Sequence, residues 1–391
     1  MAGLHATLSA SSSKRWLSCP PSARLEAKLR DRFGDRSSTY AEEGTKAHAL
    51  AELKLRHLNG EINDFNYKSQ REAGDVVPTE MDRYTDLYVD VVMEKLFAAR
   101  ANDPDAKLFI EQRLDFSPWV PGGFGTGDAV IVSNHTLEVC DLKYGKGVPV
   151  SAVDNPQARL YGLGAINVFG TVYDFIEIRN TIIQPRLDSI TDETMTRDEL
   201  IEWGESIKPI AQLAWEGKGE FTTGDHCKFC AARAICAKRA AEALSVVRYG
   251  FDTPNVISDD DIPGILAVLD VAEEWCKDIR QYALNQALNG QRYYGWKLVR
   301  GRRGSRAFTD EEKVREQLGR AGYTGEQIEK RGLKSPSEIE KLIGHNAFDA
   351  LVGKYVSQSQ GSLVLAPEDD KRPEYSSANV DFADLGNVPE E

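Results

Sequence analysis

The sequence predicts an α/β fold followed by a mainly helical C-terminal region, on three observations. Residues 78–100 carry Met81, Tyr84, Leu87, Tyr88, Val91, Val92 and Leu96 at helical spacing, a stripe that reads as core packing. Three short β-rich runs follow, 107–115, 124–132 and 136–143, separated by Gly, Pro or Asn turns. A helix over 155–168 and a strand over 173–183 complete the order helices, antiparallel strands, helix, strand.

The remaining elements fall around this core. Helices are expected over 22–33 and 40–57, the second stopped by Asn59-Gly60. Ser133-Asn134-His135 reads as a hairpin turn. A helix near 196–216 contains Pro209, which should kink or split it. Ser258 is placed to cap a long helix reaching Leu288, with Asp259, Asp260 and Asp261 in its positive first turn. Residues 309–353 read as three short helices.

Length and composition bound the function. The 391 residues are 41% hydrophobic, ample for a sizeable core, and at about 150 residues per domain the length suggests two or three domains. The net charge of −13 excludes a binder that works by a wholly basic surface, but not an enzyme with one basic groove. Residues 367–391 hold eight acids against Lys371 and Arg372, and read as a disordered or partner-binding tail. No membrane span or secretory h-region is expected. The chain is therefore placed in the cytoplasm, where its six cysteines would be reduced or hold metal.

Asp128 and the run Asp141-Leu142-Lys143 lie on neighbouring predicted strands. A hairpin would bring the two carboxylates to one end of the sheet. Hard oxygen ligands of this kind suit Mg²⁺ or Mn²⁺, and Lys143, two residues beyond Asp141, shares its strand face. The pattern fits metal-assisted phosphodiester hydrolysis. Upstream, Gly44-Thr45-Lys46-Ala47-His48 precedes Glu52, which shares a helix face with His48. Downstream, Gln157 and Tyr161 also lie four apart on one helix.

These motifs in this order, Gly44–His48, Asp128, Asp141–Lys143 and Gln157–Tyr161, resemble the RecB-like branch of the PD-(D/E)XK nuclease superfamily over roughly residues 40–240. The resemblance implies a restriction-endonuclease-like core, a mixed sheet flanked by helices. It implies metal ligation by His48, Asp128, Asp141 and the Leu142 carbonyl, with Lys143 as catalytic lysine and Gln157 and Tyr161 lining the site. Glu111 sits where a family acid often lies and is a secondary candidate with Glu52. Glu138 and Asp154 are expected to be solvated charges.

Cys227, Cys230 and Cys236 form C-x2-C-x5-C. A closed site needs a fourth ligand, and Cys19 is the candidate; Cys140 and Cys276 read as buried apolar thiols. Spacing alone admits Zn²⁺ or a [4Fe–4S] cluster. One distant cysteine before the core and a tight triplet after it is similar to iron–sulfur RecB-like nucleases, including AddB-type nuclease domains and CRISPR-associated RecB-like exonucleases. That layout implies an iron–sulfur staple.

The basic, aromatic stretch Arg292–Arg306 is a candidate DNA surface through Tyr294, Trp296, Arg300, Arg302 and Arg303, with a hairpin tip at Gly301–Gly304. Lys146 extends the floor beside Lys143. Four segments are expected: 1–39 carrying Cys19, a nuclease domain over 40–250 with the cysteine cluster, a helical domain over 251–366 with the basic hairpin, and the tail 367–391. The leading expectation is a metal-dependent DNA exonuclease of phage or prophage origin acting in replication or recombination, with protein partners and an oligomer both open. The alternatives are a structure-specific endonuclease and a non-catalytic DNA-binding scaffold.

Overall fold

A computed structural model describes residues 6–33, 39–73, 77–245, 262–301, 303–329, 332–359 and 361–375. It divides into two compact units, 1–272 and 273–391. The expected boundary near 250–258, the Ser258 cap and its three aspartates fall outside the described residues, as do Arg302 and residues 376–391 of the acidic tail.

Five helices lead into the first unit: α1 (Ser13–Ser18), α2 (Ser22–Phe33), α3 (Thr39–Leu58), α4 (Asp64–Ala73) and α5 (Thr79–Asn102). Strands β1 (Lys107–Asp115), β2 (Phe124–Val132) and β3 (Thr136–Leu142) follow, then α6 (Pro156–Phe169), β4 (Glu177–Gln184), β5 (Ser189–Thr196), α7 (Arg197–Glu216) and α8 (Ala237–Ala243). The sheet order is β1-β2-β3-β4-β5. Only β3 and β4 run parallel, because α6 is the crossover that returns the chain in the same direction.

Helices cover both faces of this mixed sheet. Alternation along the strands sorts side chains between two cores. Val130, Val132, Leu137 and Val139 pack with Leu160, Leu163 and Ile166 of α6 and Leu200, Ile207 and Ala211 of α7. Ala129, Ile131, Cys140 and Leu142 pack on the opposite face with Ala51 and Leu55 of α3 and Tyr88, Val92 and Leu96 of α5. Leu87, expected in the α5 stripe, is instead 46% exposed.

Local signals set the ends of α6 and α7. Asn155 accepts from the amides of Gln157 and Ala158, and Pro156 occupies the first helical turn. Thr196 and Glu199 form a capping box, and Gly217 closes α7 at φ +70°. Pro209 does not split α7. It lies on the exposed side, as does Glu205, so the carbonyl it leaves without an amide donor faces water.

The second unit contains the rest of α9 (Ile262–Leu288), which the division crosses. After it come β6 (Trp296–Arg300), β7 (Ala307–Phe308), α10 (Glu311–Arg320), α11 (Gly325–Ile328), α12 (Pro336–Ile343), α13 (His345–Val352), β8 (Val356–Ser357) and β9 (Leu363–Pro367). The expected basic hairpin is replaced by other pairings: β6 pairs with β9, and β7 with β8. The run after Gly304 has only two strand residues, too few to pair back across that turn. Four short helices stand where three were expected. Residues just beyond β9 are ordered against β6, through the bridge Val299–Glu374 and the bond from the Tyr375 amide to the Leu298 carbonyl at 2.7 Å. Among the described residues, no helix is long and apolar enough to cross a membrane.

Candidate metal centre

Three elements converge at one end of the sheet. Ala47 and Leu50 of α3 are buried with Met81 and Tyr144, which fixes the rotation of the helix. His48, between them, reaches β2, and its Nδ1 lies 3.1 Å from Asp128 Oδ1. The other oxygen, Asp128 Oδ2, accepts the Leu142 amide at 2.7 Å, so Asp128 is tied to both α3 and β3.

Glu111 completes a cluster with these two. Ligand atoms of His48, Glu111 and Asp128 lie within 4.8 Å of one another, a group that could hold a metal ion. Glu111 has φ +50°, in the left-handed region that side chains rarely occupy. The distortion is visible in the face pattern. Leu108 and Ile110 pack into one core, yet Leu114, an even number of residues on, packs into the opposite one.

Asp141 stands beside this triad rather than within it. Its Oδ1 accepts from Gln157 Nε2 at 3.2 Å, and Gln157 Nε2 also lies 3.5 Å from the Tyr161 hydroxyl. Its Oδ2 is 2.6 Å from Lys143 Nζ, yet it is buried and takes no well-aligned hydrogen bond. Two glycines let α6 come this close. A Cβ on Gly125 would meet the Tyr161 ring at 2.7 Å, and one on Gly164 would meet Leu114 Cβ at 2.9 Å.

The charges are crowded. Burial, then the negative charges of Asp128 and Glu52, push Glu111 up to about 7. Burial also raises Asp141, with Lys143 opposing and Asp128 adding to the rise. Burial draws His48 down, but the hydrogen bond and charge of Asp128 and the charge of Asp141 outweigh it, so the net shift is upward. Carboxylates held toward neutrality by their neighbours gain most from a cation. The donor set, carboxylate oxygens and one imidazole, with the Lys143-paired Asp141 carboxylate beside it, fits a divalent ion.

Other sequence candidates are placed as follows. Glu52 Oε1 accepts from Arg56 Nε at 2.8 Å. Leu142 contributes its amide, as above. Lys146 is exposed in the segment after β3. In the second unit Tyr294 is fully exposed, and Trp296, Arg300 and Arg303 are exposed. The Arg300 guanidinium lies over the Tyr375 ring. Glu138 is not solvated: it is buried, with Lys95 Nζ at 2.6 Å and the Thr181 hydroxyl at 2.8 Å. Asp154 is solvent-facing and pairs with Arg159. Tyr88 belongs to the apolar stripe of α5. Its hydroxyl is buried with no hydrogen-bond partner among the described residues, and burial and the Asp128 charge raise it far above the ordinary tyrosine range.

The N-terminal segment meets the cysteine segment. Thr222 Oγ1 donates to the Ser18 carbonyl at 2.6 Å, and the Ala231 amide to Glu26 Oε1 at 2.7 Å. Burial raises the Cys227 thiol, with Cys236 and Cys19 adding to the rise. Burial likewise pushes Cys230 up to about 12. Cys140 is buried as expected, but Cys276 is exposed on α9.

The fold and centre define a mixed α/β protein with a candidate acidic metal site. Residues 5–373 match the family described as "Protein of unknown function (DUF2800)", and the chain belongs to that family. Among solved structures, it is similar to a Eubacterium rectale protein provisionally called an exonuclease, at 15% identity and TM-score 0.32, covering 65% of this chain and 92% of that one. It is also similar to SSO0001, at 16% identity and TM-score 0.23, covering 55% and 93%. At scores this low neither likeness bears on the fold.

Proposed function

We propose that the chain is a metal-dependent nuclease that hydrolyses phosphodiester bonds of DNA, acting as an exonuclease. The observation that carries this reading is the His48–Glu111–Asp128 cluster set beside the Asp141–Lys143 pair on the neighbouring strand. His48, Glu111 and Asp128 would hold Mg²⁺ or Mn²⁺, with Asp141 beside them. When bound, such an ion polarises a phosphate oxygen and makes a water more acidic.

The chain's own residues supply the rest. Lys143 Nζ, held by Asp141, orients the attacking water and offsets charge developing on the phosphate. Gln157 fixes the other Asp141 oxygen and, with Tyr161, shapes the wall against which the strand lies. Asp128 fixes the His48 ring, while the Leu142 amide fixes Asp128. Lys146 supplies a phosphate contact beside Lys143, and within the second unit Tyr294, Trp296, Arg300 and Arg303 offer phosphate contacts and stacking surfaces of their own. Incubation of the purified protein with 5′- and 3′-labelled single- and double-stranded DNA, with Mg²⁺ or Mn²⁺, tests the reading. Metal-dependent release of labelled nucleotides or short products supports it. Cleavage of closed circles makes the chain an endonuclease, and binding without turnover makes it a scaffold.

We further propose that Cys19, Cys227, Cys230 and Cys236 hold a [4Fe–4S] cluster that ties the N-terminal segment to the end of the nuclease core. One distant cysteine before the core and a tight triplet after it support this reading, with a single Zn²⁺ on the same four thiolates as the alternative. The setting that the sequence resemblance implies is DNA-end processing in phage replication or recombination, in the cytoplasm of a bacterial host.

A further inference from the structure

The N-terminal serines take no part in the chemistry above, and they line a cavity of about 140 Å³. Its walls include Ser9, Ser11, Ser12, Arg15, Glu26 and Arg30. Part of this polarity is structural. The Ser9 carbonyl accepts from Ser12 Oγ and from Trp16 Nε1, each at 3.1 Å. Ser9 Oγ lies 2.9 Å from Ser12 Oγ and 3.2 Å from Ser11 Oγ. Ser11, at the exposed end of this set, can turn its hydroxyl to a ligand without breaking the Ser9–Ser12 pair.

The charges are not balanced in the same way. Glu26 is the one carboxylate in the wall, and both its oxygens are committed. Oε2 accepts from Arg15 Nε at 2.7 Å and Oε1 from the Ala231 amide at 2.7 Å. The Arg30 guanidinium has no carboxylate partner among the described residues, and the terminal nitrogens of Arg15 have none either. Two guanidinium groups therefore face one fully occupied carboxylate, leaving a net positive cavity rimmed by hydroxyls.

We propose that this cavity binds a phosphate group, either inorganic phosphate or the terminal phosphate of a nucleic-acid strand. A phosphate at neutral pH presents at least two unprotonated acceptor oxygens, and they diverge in several directions. Two guanidinium forks and a hydroxyl match that demand better than they match a planar carboxylate, which one fork satisfies. The cavity is also built into the frame of the proposed centre. Trp16 packs in the same core as Leu160 and Tyr161 of α6, and Glu26 reaches the cysteine segment at Ala231. A bound phosphate thus stiffens the segment that carries Cys19. The strand-end source rests on the nuclease reading; the phosphate site itself does not.

Calorimetric titration of the full chain with inorganic phosphate, in EDTA so that no turnover occurs, tests the site. Arg30 and Ser11 are both exposed, so Arg30→Glu and Ser11→Ala leave the fold intact, as circular dichroism will register. Saturable binding by the wild type, weakened at least roughly tenfold by Arg30→Glu and less by Ser11→Ala, is expected. The absence of saturable binding, or equal binding by the wild type and both variants, overturns the proposal. Oligonucleotides with and without a 5′- or 3′-phosphate then identify the source. A preference for the phosphorylated end that vanishes in Arg30→Glu assigns the strand terminus. Equal binding of both ends, with phosphate binding intact, assigns free phosphate.

Discussion

Glu111 and Asp128 occupy opposing positions in the β1–β2 ladder, between the pairs Ile110–Ala129 and Gln112–Gly127, and Glu111 meets Asp128 with a left-handed backbone. Two carboxylates are thus forced together at a strained residue, with the Glu52 charge nearby. Strain and like-charge crowding at one point are unfavourable for stability and suit a cation site.

The first prediction is a pH dependence of the metal-free protein. Glu111 titrates at about 7 when folded, against an ordinary value of 4.5. Between these values the folded state binds the extra proton, so stability falls as pH rises through that window and levels off above it. In full the shift corresponds to about 3 kcal/mol, and solvent screening of this partly exposed carboxyl reduces the expected loss to on the order of 2 kcal/mol. Urea unfolding in EDTA from pH 4.5 to 8 should show the decline in wild type and a flatter profile in Glu111→Gln. Identical profiles would remove Glu111 from the cluster.

The second prediction separates chemistry from folding. Lys143→Ala should lower nuclease turnover by roughly 100- to 1000-fold, the scale for losing one charge-stabilising donor. Asp128→Asn keeps an acceptor for the Leu142 amide, so it should fold normally while losing metal-dependent activity. Asp128→Ala is the less clean test, because it leaves that amide unpaired at about 1–3 kcal/mol. Rates on end-labelled DNA, with circular dichroism as the folding control, check both; a fully active Asp128→Asn would contradict the metal assignment.

Much of this arrangement was readable from residue order. The β1, β2 and β3 runs are short and β-rich between clear turns, and α6 announces itself through Asn155-Pro156. Asp128, Asp141 and Lys143 could be placed together because strand ends follow from periodicity; spacing puts Gln157 and Tyr161 on one helix face, and only the resemblance to RecB-like nucleases implied their place in the site. Glu111 could not be promoted on the same grounds: its aim depends on a positive φ that no local residue signals. Strand β5, Ser-Ile-Thr-Asp-Glu-Thr-Met-Thr, is a polar edge strand whose pairing with β4 supplies order that its own composition does not. Glu138 looked solvated because its partners Lys95 and Thr181, which it shares with Asp192 of β5, come from two other elements, α5 and β4. The hairpin at Gly301 failed because the partner of β6 lies far along the chain, at β9.

A third prediction concerns how closely α6 approaches the sheet. Gly164 faces Leu114, with the Leu114 carbonyl carbon only 3.2 Å from where a Cβ would sit. Backbone cannot rotate away as a side-chain tip can. Gly164→Ala should therefore lift α6 from β1 and cost about 1–3 kcal/mol. It should also loosen the Gln157–Asp141 contact and lower activity more than the stability loss explains at assay temperature. Urea midpoints and initial rates measured on the same preparation separate the two effects. An unchanged midpoint would show that the interface yields more easily than this geometry allows.

The last prediction addresses the cysteines. Burial holds Cys230 up to about 12 and raises Cys227, so at neutral pH both thiols are protonated in the absence of a ligand. A metal centre must displace those protons, and its affinity should therefore fall as pH falls. Protein purified without oxygen should be brown and contain iron and sulfide. Cys19→Ser and Cys227→Ser should each lose the colour, although the two residues lie at opposite ends of the core sequence. The same variants should make the 222–236 segment more open to limited proteolysis, because the Thr222–Ser18 and Ala231–Glu26 hydrogen bonds then tie it to the N-terminal segment without the cluster, while Trp16 stays packed in the core. Stoichiometric zinc without iron would replace the cluster by a single ion. Iron retained in Cys19→Ser would exclude Cys19 as a ligand and leave the triplet to find its fourth elsewhere.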